Sequence, residues 1–289
     1  MSIELQQVSY TYMPKTSFER TALSHVTLTI TEGTLTAIAG HTGSGKSTLV
    51  QHLNGILRPT QGSVLVDGQD LSAKDKTSIT ARRRVGMVFQ YPEHQLFEET
   101  VEEDIAFGPK NLGLSSEEIA RRVRWAMELV RLDYDTYRER SPFQLSGGQK
   151  RRAAIAGVLA MEPKYLVLDE PTAGLDPRGR DDLLQRIVRL HREKKMTVIF
   201  VSHNMDDIAR LADRVIFMHE GRVLLDRPPR EAFREKLALK TAGLEEPETV
   251  TLLEKLQQRG LAVDTDAFTA EETARRIIRA LRKRGGGRC

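Results

Sequence analysis

Short apolar runs alternate with longer stretches of mixed polarity along most of the chain. An apolar run that ends at glycine, proline or charged residues is typical of a buried strand, and alternating polarity is typical of a half-buried one. Only Glu220–Gly221 separates the last two such segments, which indicates a hairpin. The predicted strands are Ile3–Tyr12, Val26–Ile30, Leu35–Ala39, Val64–Asp67, Val85–Phe89, Tyr165–Leu168, Thr197–Val201, Val215–His219 and Arg222–Leu225.

Apolar residues at helical spacing occupy several of the stretches between and after these strands. Ser115 with Glu118, and Thr269 with Glu272, have the spacing of a capping box at a helix start. The strand–helix–strand order over residues 165–201 forms a βαβ unit, so we expect a parallel sheet. The pattern predicts helices from Ser115 to Val130 and at Leu49–Leu57, Ser146–Leu159, Asp181–Lys194, Thr249–Gln258 and Ala270–Lys283.

The composition excludes several classes of protein. The chain has 289 residues, of which 39% are hydrophobic and 29% charged, as is typical of a soluble globular protein. No apolar run approaches the roughly 20 residues that span a bilayer, and the N-terminus has no basic-then-apolar export signal. The only cysteine is Cys289, which excludes an internal disulfide and a cysteine-rich metal site.

The positive charge of the chain is concentrated at its end. The net charge is +4 and the pI is about 9.2, a value that leaves nucleic acid open as a partner. However, residues 269–289 alone carry a net charge of +5, so the rest of the chain is almost neutral. We therefore expect no nucleic-acid partner. We interpret the basic tail as a solvated end, with anionic lipid or an acidic partner patch as the alternative contact.

A glycine-rich segment follows the predicted strand Leu35–Ala39 and precedes a predicted helix. It fits the pattern G-x4-G-K-[ST], whose backbone N–H groups surround phosphate oxygens at a helix N-terminus. Lys46 is expected to reach the β- and γ-phosphates, and the Ser47 hydroxyl to ligate Mg²⁺. The candidate nucleotide contacts here are Gly40, His41, Thr42, Gly43, Ser44, Gly45, Lys46, Ser47 and Thr48.

Two carboxylates stand at the end of the predicted strand Tyr165–Leu168. Asp169 occupies the carboxyl end of a parallel strand, where open α/β sheets bind ligands, and it is a candidate Mg²⁺ ligand. Glu170 is a candidate for polarising the water that attacks the γ-phosphate. Taken alone, two solvated carboxylates would be the simpler interpretation, but the phosphate loop favours the catalytic one.

The segment Leu145-Ser146-Gly147-Gly148-Gln149 opens a predicted helix and forms a second anion-binding element. It resembles the signature motif of ABC-type ATPases. The resemblance implies that Ser146, Gly147, Gly148 and Gln149 contact ATP held by the phosphate loop of another subunit. It therefore also implies ATP and Mg²⁺ as ligands and a dimer with two composite sites.

Further motifs of that family are present in order. The resemblance implies that Gln90 ligates Mg²⁺ and links to the transporter, and that Asp176 reaches across the dimer interface. His203 resembles the switch histidine that contacts the γ-phosphate, and Tyr12 the aromatic residue that stacks on adenine. Tyr10 and Phe18 remain alternatives for that last role.

The resemblance implies an α/β P-loop NTPase fold. It has a central, mostly parallel sheet, an N-terminal antiparallel β-subdomain, a helical signature subdomain at about 92–160 and a short helical C-terminal extension. The ATPase domain is expected to cover 1–235, and a dimerisation extension 236–289.

The stretch from Asp104 to Leu114 is similar to that of energy-coupling factor (ECF) and cobalt-type importer ATPases. The stretches Ser141–Gln144 and Ala173–Gly179 resemble those of the second, A′-type ATPase subunit of ECF vitamin transporters. The implied function is ATP hydrolysis that powers uptake of a vitamin or transition-metal ion. The implied partners are a paralogous ATPase (with a homodimer as alternative), a membrane T component and a substrate-binding S component, at the cytoplasmic face of the membrane. A cobalt- or nickel-type importer ATPase and a regulatory ABC ATPase without a membrane partner are the alternatives.

Overall fold

A computed structural model describes residues 1–73 and 75–285 of the chain. Cys289 and the last residues of the basic stretch 269–289 lie outside the described residues. The strands are β1 (Ser2–Tyr12), β2 (Arg20–Thr31), β3 (Leu35–Ala39), β4 (Gln61–Val66), β5 (Gln69–Asp70), β6 (Val85–Val88), β7 (Tyr165–Asp169), β8 (Thr197–Val201), β9 (Arg214–His219) and β10 (Arg222–Arg227). The helices are α1 (Lys46–Leu53), α2 (Lys76–Arg83), α3 (Val101–Asn111), α4 (Ser116–Leu129), α5 (Tyr134–Tyr137), α6 (Gly147–Leu159), α7 (Pro177–Lys194), α8 (Met205–Leu211), α9 (Pro229–Ala232), α10 (Lys236–Ala242), α11 (Glu248–Gln258) and α12 (Ala270–Gly285).

The predicted strands and helices are present, and both predicted helix starts carry their caps. The Ser115 hydroxyl accepts the N–H of Glu118 at 3.3 Å, and the Thr269 hydroxyl accepts that of Glu272 at 3.1 Å. The prediction for the first helix was wrong at both ends, because α1 begins at Lys46 and ends at Leu53. It ends there because Gly55 adopts a φ of +74°, a left-handed conformation that commonly terminates helices.

The chain forms two compact units. The first contains Met1–Leu35 and Ser47–Val201, and the second contains Thr36–Lys46 and the chain from Ser202 onward. Within the part of the chain that the structure describes, no helix combines the length and the apolarity that a bilayer crossing requires.

The first unit begins with an antiparallel sheet in the order β2-β1-β4-β5. In it Ile3 pairs with Ile30 on one side and with Val66 on the other, and all three side chains are fully buried. The same unit holds the parallel strands β6, β7 and β8, with β7 between the other two. Every residue of these three strands is buried, as expected for a parallel sheet covered on both faces.

Helices α3, α4 and α6 pack against one another in the first unit and form its helical part. The predicted signature segment lies at the start of α6. Because β6 and β7 are parallel neighbours, the residues that follow them, including Gln90 and Glu170, meet at one edge of the sheet.

In the second unit, β3 pairs parallel with β9, and β9 forms an antiparallel hairpin with β10. The turn between them uses Glu220 at a φ of +45° and Gly221 at +74°, which confirms the predicted hairpin. Helix α10 packs on β9, and α11 packs against α12. A separate small core joins α11 and α12 through Leu253, Leu261, Val263, Ala267 and Ala280.

Candidate functional site

The phosphate loop follows β3 and closes on itself in the second unit. Gly43 and Gly45 adopt φ values of +84° and +101°, which only glycine adopts without strain. The Lys46 ammonium donates hydrogen bonds to the carbonyl oxygens of Gly40, at 2.8 Å, and His41, at 3.0 Å. The lysine is only 5% exposed, so its charge is held within the loop. The loop is therefore curled around its own cation.

The end of α10 contacts this loop. The backbone N–H of His41 donates to the carbonyl of Ala242 at 3.1 Å, and the His41 ring meets the edge of the His219 ring with centroids 5.2 Å apart. A cavity of about 450 Å³ opens beside them in the same unit. Its lining includes His41, Thr42 and His203, so the predicted switch histidine borders the same space as the phosphate loop.

Glu170, the candidate for polarising the attacking water, and Gln90, a candidate Mg²⁺ ligand, contact each other in the first unit. The amide nitrogen of Gln90 donates to Oε2 of Glu170 at 3.0 Å. Glu170 follows β7 directly and adopts a φ of +49°, a strained conformation of the kind that clusters at functional sites. Its backbone N–H is anchored on the carbonyl of Val201 at 3.2 Å. Asp169, its neighbour, ends β7 and is buried.

Of the three aromatic residues considered for adenine stacking, Tyr12 is the one hydrogen-bonded to the helix that follows the phosphate loop. Its hydroxyl lies 3.1 Å from the Thr48 hydroxyl, and the residue is 38% exposed. Tyr10 packs edge-on against Tyr12 and against His52. Burial lowers the pKa of His52, so this ring is neutral at pH 7. Phe18 is 77% exposed.

The signature segment starts α6 with a capping box. The Ser146 hydroxyl accepts the N–H of Gln149 at 3.4 Å, and the Gln149 side chain accepts the N–H of Ser146 at 2.9 Å. A side chain at Gly147 or Gly148 would meet no heavy atom within 4 Å, so this surface is open. Asp176 caps α7 by accepting the N–H groups of two following residues, both at 3.0 Å. Its predicted contact across a dimer remains a prediction.

Comparison with known proteins identifies the family. The sequence model of the ABC transporter family matches residues 23–173. The energy-coupling factor transporter ATP-binding protein EcfA2 of Clostridium perfringens is 51% identical over 98% of this chain and 99% of that protein. The EcfA2 protein of Symbiobacterium thermophilum is 52% identical over 99% of both chains. This chain belongs to the ABC transporter ATPases.

Solved structures of ABC ATPases agree with the fold. The structure of cbiO1 from Clostridium perfringens, part of the ABC transporter complex cbiONQ, has a TM-score of 0.73 and 37% identity over 89% of this chain and 97% of that one. The ATP-binding cassette MJ0796, solved as a post-hydrolysis dimer with ADP and Pi, has a TM-score of 0.71 and 31% identity, and covers 78% of this chain and 98% of its own. The predicted α/β P-loop ABC ATPase fold is confirmed.

The residues of this ABC ATPase fit the groups that the family binds. A side chain at Gly40 would come within 2.4 Å of the Met218 carbonyl oxygen and 2.6 Å of the Ser44 hydroxyl, so glycine allows the start of the loop to pack this closely. The Ser44 hydroxyl is itself buried and has no hydrogen-bond partner among the described residues. For Mg²⁺, the Ser47 hydroxyl, the Asp169 carboxylate and the Gln90 amide offer the hard oxygen donors that this cation prefers.

Two contacts of this ABC ATPase were not predicted from its sequence. The first is the contact of the Ala242 carbonyl, in the C-terminal part, with the N–H of His41. The sequence signal for the end of α10 at this point was Gly243, which adopts the left-handed conformation common after a helix. Arg151 is buried on α6 and bonded to backbone near Gln90 and Asp176. The burial of Arg151 could have been predicted from its spacing, because it lies four residues before the buried Ile155 on the same face of α6.

Proposed function

We propose that this chain binds and hydrolyses ATP with Mg²⁺ as one of two ATPase subunits in an ECF importer. The reaction powers uptake of a vitamin or transition-metal ion. The observation that carries the proposal is the extent of the similarity. The cassette MJ0796 aligns with 78% of this chain. The EcfA2 proteins align with 97 to 99% of it, including the helical C-terminal part.

The phosphate loop supplies the binding chemistry. Its backbone N–H groups and the dipole of α1 attract phosphate oxygens, and the Lys46 ammonium exchanges its loop carbonyls for the β- and γ-phosphates. Tyr12 holds the adenine by stacking. Ser47, Asp169 and Gln90 are the residues that would hold Mg²⁺, and the cation would supply positive charge that stabilises the phosphates during hydrolysis.

Glu170 performs the proton chemistry of hydrolysis. Its carboxylate orients the attacking water and accepts its proton, and the hydrogen bond from Gln90 keeps the carboxylate aimed. His203 contacts the γ-phosphate from the cavity that it shares with the phosphate loop. Most of the rate enhancement comes from positioning and from charge stabilisation by Lys46 and by the opposing signature helix.

Two chains are needed for each composite site, because the open signature surface of Ser146 to Gln149 has to face a phosphate loop of another subunit. The partner is a paralogous ATPase, with a second copy of this chain as the alternative. The pair sits peripherally on the cytoplasmic face of the membrane, bound to a T component, and an S component selects the substrate.

Co-purification tests this proposal. The chain is expressed with a paralogous ATPase and a T-type membrane protein from the same genome, and the complex is isolated from membranes and weighed by mass spectrometry. We expect one copy of each ATPase per T protein, and ATP turnover by the complex that depends on Mg²⁺ and is lost with Lys46→Ala.

Two outcomes would contradict the proposal. If the chain stays out of the membrane fraction while the paralogue and the T protein assemble, the importer function is wrong. If a proven monomer hydrolyses ATP at a rate per molecule that dilution leaves unchanged, the composite site is wrong.

A further inference from the structure

Arg151 is a buried cation at the centre of three segments of the first unit. It lies on α6, the helix that Ser146 caps, and only 4% of its side chain is exposed. One guanidinium nitrogen donates to the backbone carbonyl of Gln90 at 2.5 Å, and the other donates to the carbonyl of Ala173. Its Nε lies 3.5 Å from a carboxylate oxygen of Glu93.

These partners belong to separate functional segments. Gln90 follows β6 and carries the amide that holds Glu170. Ala173 precedes α7, in the stretch that leads to Asp176. Both hydrogen bonds are made to backbone carbonyls, so they hold the backbone of the two segments in position. A shift of α6 by the width of an atom must therefore move both segments or break charged hydrogen bonds in a buried place.

The guanidinium group is suited to this task. Its planar fork places several N–H donors in fixed directions, so one side chain reaches two carbonyls on different segments. A lysine ammonium at the same place keeps the charge but lacks the spread of donors. A buried arginine is costly unless its donors are satisfied, and here Glu93 supplies opposite charge beside the two carbonyls.

We propose that Arg151 is a positioning residue that couples the signature helix to both catalytic segments of its own subunit. When the opposing nucleotide engages the start of α6, Arg151 transmits the movement to Gln90 and to the segment before Asp176. Glu170 is thereby aligned in one site in response to nucleotide in the other. This inference rests on the proposed ATPase function and deepens it, because it supplies a physical link between the two composite sites.

The test compares Arg151→Lys with the parental protein, each as full chain with the partner it needs for turnover. The substitution removes a guanidinium hydrogen bond that positions the segments at Gln90 and Ala173, and it leaves the phosphate loop untouched. We therefore expect kcat to fall about tenfold or more, with KM and the ATP dissociation constant within about twofold of the parental values. Arg151→Gln should have the larger effect, because Glu93 then loses the cation beside it. Lys150→Gln is the matched control, since it removes a charge from the same helix and leaves kcat unchanged.

A second measurement reports coupling without turnover. In the Glu170→Gln background, ATP should slow backbone hydrogen exchange in the segments around Gln90 and Ala173. Adding Arg151→Lys should abolish that ATP-dependent slowing while the exchange of the core strand β7 stays the same. A residue that only stabilises packing would change exchange with and without ATP alike.

The outcomes are separable. A parental kcat in Arg151→Lys overturns the proposal, and so does a loss of kcat matched by an equal loss of ATP affinity or by a lower unfolding temperature. If neither variant folds, Arg151 is only a structural residue and the proposal fails. If the parental complex binds ATP but never hydrolyses it, the proposed function fails, and the exchange measurement still decides the role of Arg151.

Discussion

The Tyr12 hydroxyl lies 3.1 Å from the Thr48 hydroxyl, so the end of β1 is tied to the helix that follows the phosphate loop. This contact distinguishes Tyr12 from its two rivals. Tyr10 is turned toward His52, and Phe18 lies in the exposed stretch between β1 and β2. Among the three candidates, this contact makes Tyr12 the one to test for adenine stacking.

Tyr12→Ala should therefore weaken ATP binding. Stacking of a base on an aromatic side chain is worth about 1–3 kcal/mol, so the dissociation constant should rise roughly fivefold to 150-fold. Binding of inorganic triphosphate, which has no base, should not change. Calorimetric titration with both ligands makes the distinction. Phe18→Ala is the control, and a loss of ATP affinity there with none in Tyr12→Ala would reassign the stacking residue.

Glu170→Gln tests the proton chemistry. Glutamine keeps a side chain of the same shape beside Gln90 but cannot accept a proton, and general-base catalysis typically contributes 10² to 10⁴ in rate. We expect turnover to fall by about that factor, with ATP binding intact and an ATP-bound dimer that persists in gel filtration. The exposed Glu117→Gln on α4 should behave as the parental protein does. Turnover near the parental rate in Glu170→Gln would mean that another group takes the proton.

The parts of this site that the sequence predicted are those that local structure determines. The phosphate loop needs glycines between a strand and a helix, and the helix starts need caps, so residues close in sequence carry both signals. The contact of Gln90 with Glu170 joins residues 80 positions apart, and that of Arg151 with Gln90 joins residues 61 apart. Periodicity and motif spacing do not encode such pairs, because packing of distant elements brings them together.

Helix α3 shows a different reason for a missed element. Its last turn contains Gly108 and Pro109, two residues that disfavour a helix interior. Tertiary packing outweighs that preference, because the Met161 side chain packs so closely on Gly108 that an added Cβ would come within 2.7 Å of it and displace it. Glycine here signals a close contact, and a sequence pattern alone does not separate that reason from a break in the chain.

Gly243→Ala, a substitution in the C-terminal part, should displace the phosphate loop and weaken ATP binding. Gly243 has a φ of +65°, and an added Cβ would lie 3.3 Å from the His41 Cβ. His41 is the residue whose N–H is held by the neighbouring Ala242, so displacement at Gly243 moves the start of the loop. We expect ATP to bind several-fold more weakly.

Gly260→Ala is the matched control for that variant. Gly260 has a φ of +85° and no heavy atom within 4 Å of an added Cβ. Both variants carry the same kind of backbone strain and should lose about 1 kcal/mol of unfolding free energy. Only Gly243→Ala should change the ATP dissociation constant. Equal ATP affinities in the two variants would show that the contact with His41 has no influence on binding.

The environment of Asp67 makes the stability of the first unit depend on pH. Its carboxylate is only 3% exposed and accepts hydrogen bonds from Tyr165 at 2.6 Å, Arg84 at 2.7 Å and Lys164 at 3.0 Å. Burial alone would raise the pKa of Asp67, but the three donors outweigh it and hold the pKa below its usual value. A carboxyl with a lowered pKa in the folded state stabilises the protein above its unfolded pKa of about 4 and loses that contribution as the pH falls through the folded value.

Asp67→Asn should therefore be most harmful at neutral pH. The neutral amide removes the negative charge that Asp67 presents to the partly exposed Lys164 and Arg84, at a cost of roughly 1–3 kcal/mol in unfolding free energy. Urea denaturation between pH 7 and pH 3 measures this, and the gap between parent and variant should narrow once the pH drops below about 4. The exposed Asp135→Asn is the control, with a difference from the parent that stays near zero. A stability gap that widens toward low pH would contradict the lowered pKa of Asp67. Such a gap would mean that the carboxyl stabilises the folded protein more when it is protonated, which requires a raised pKa.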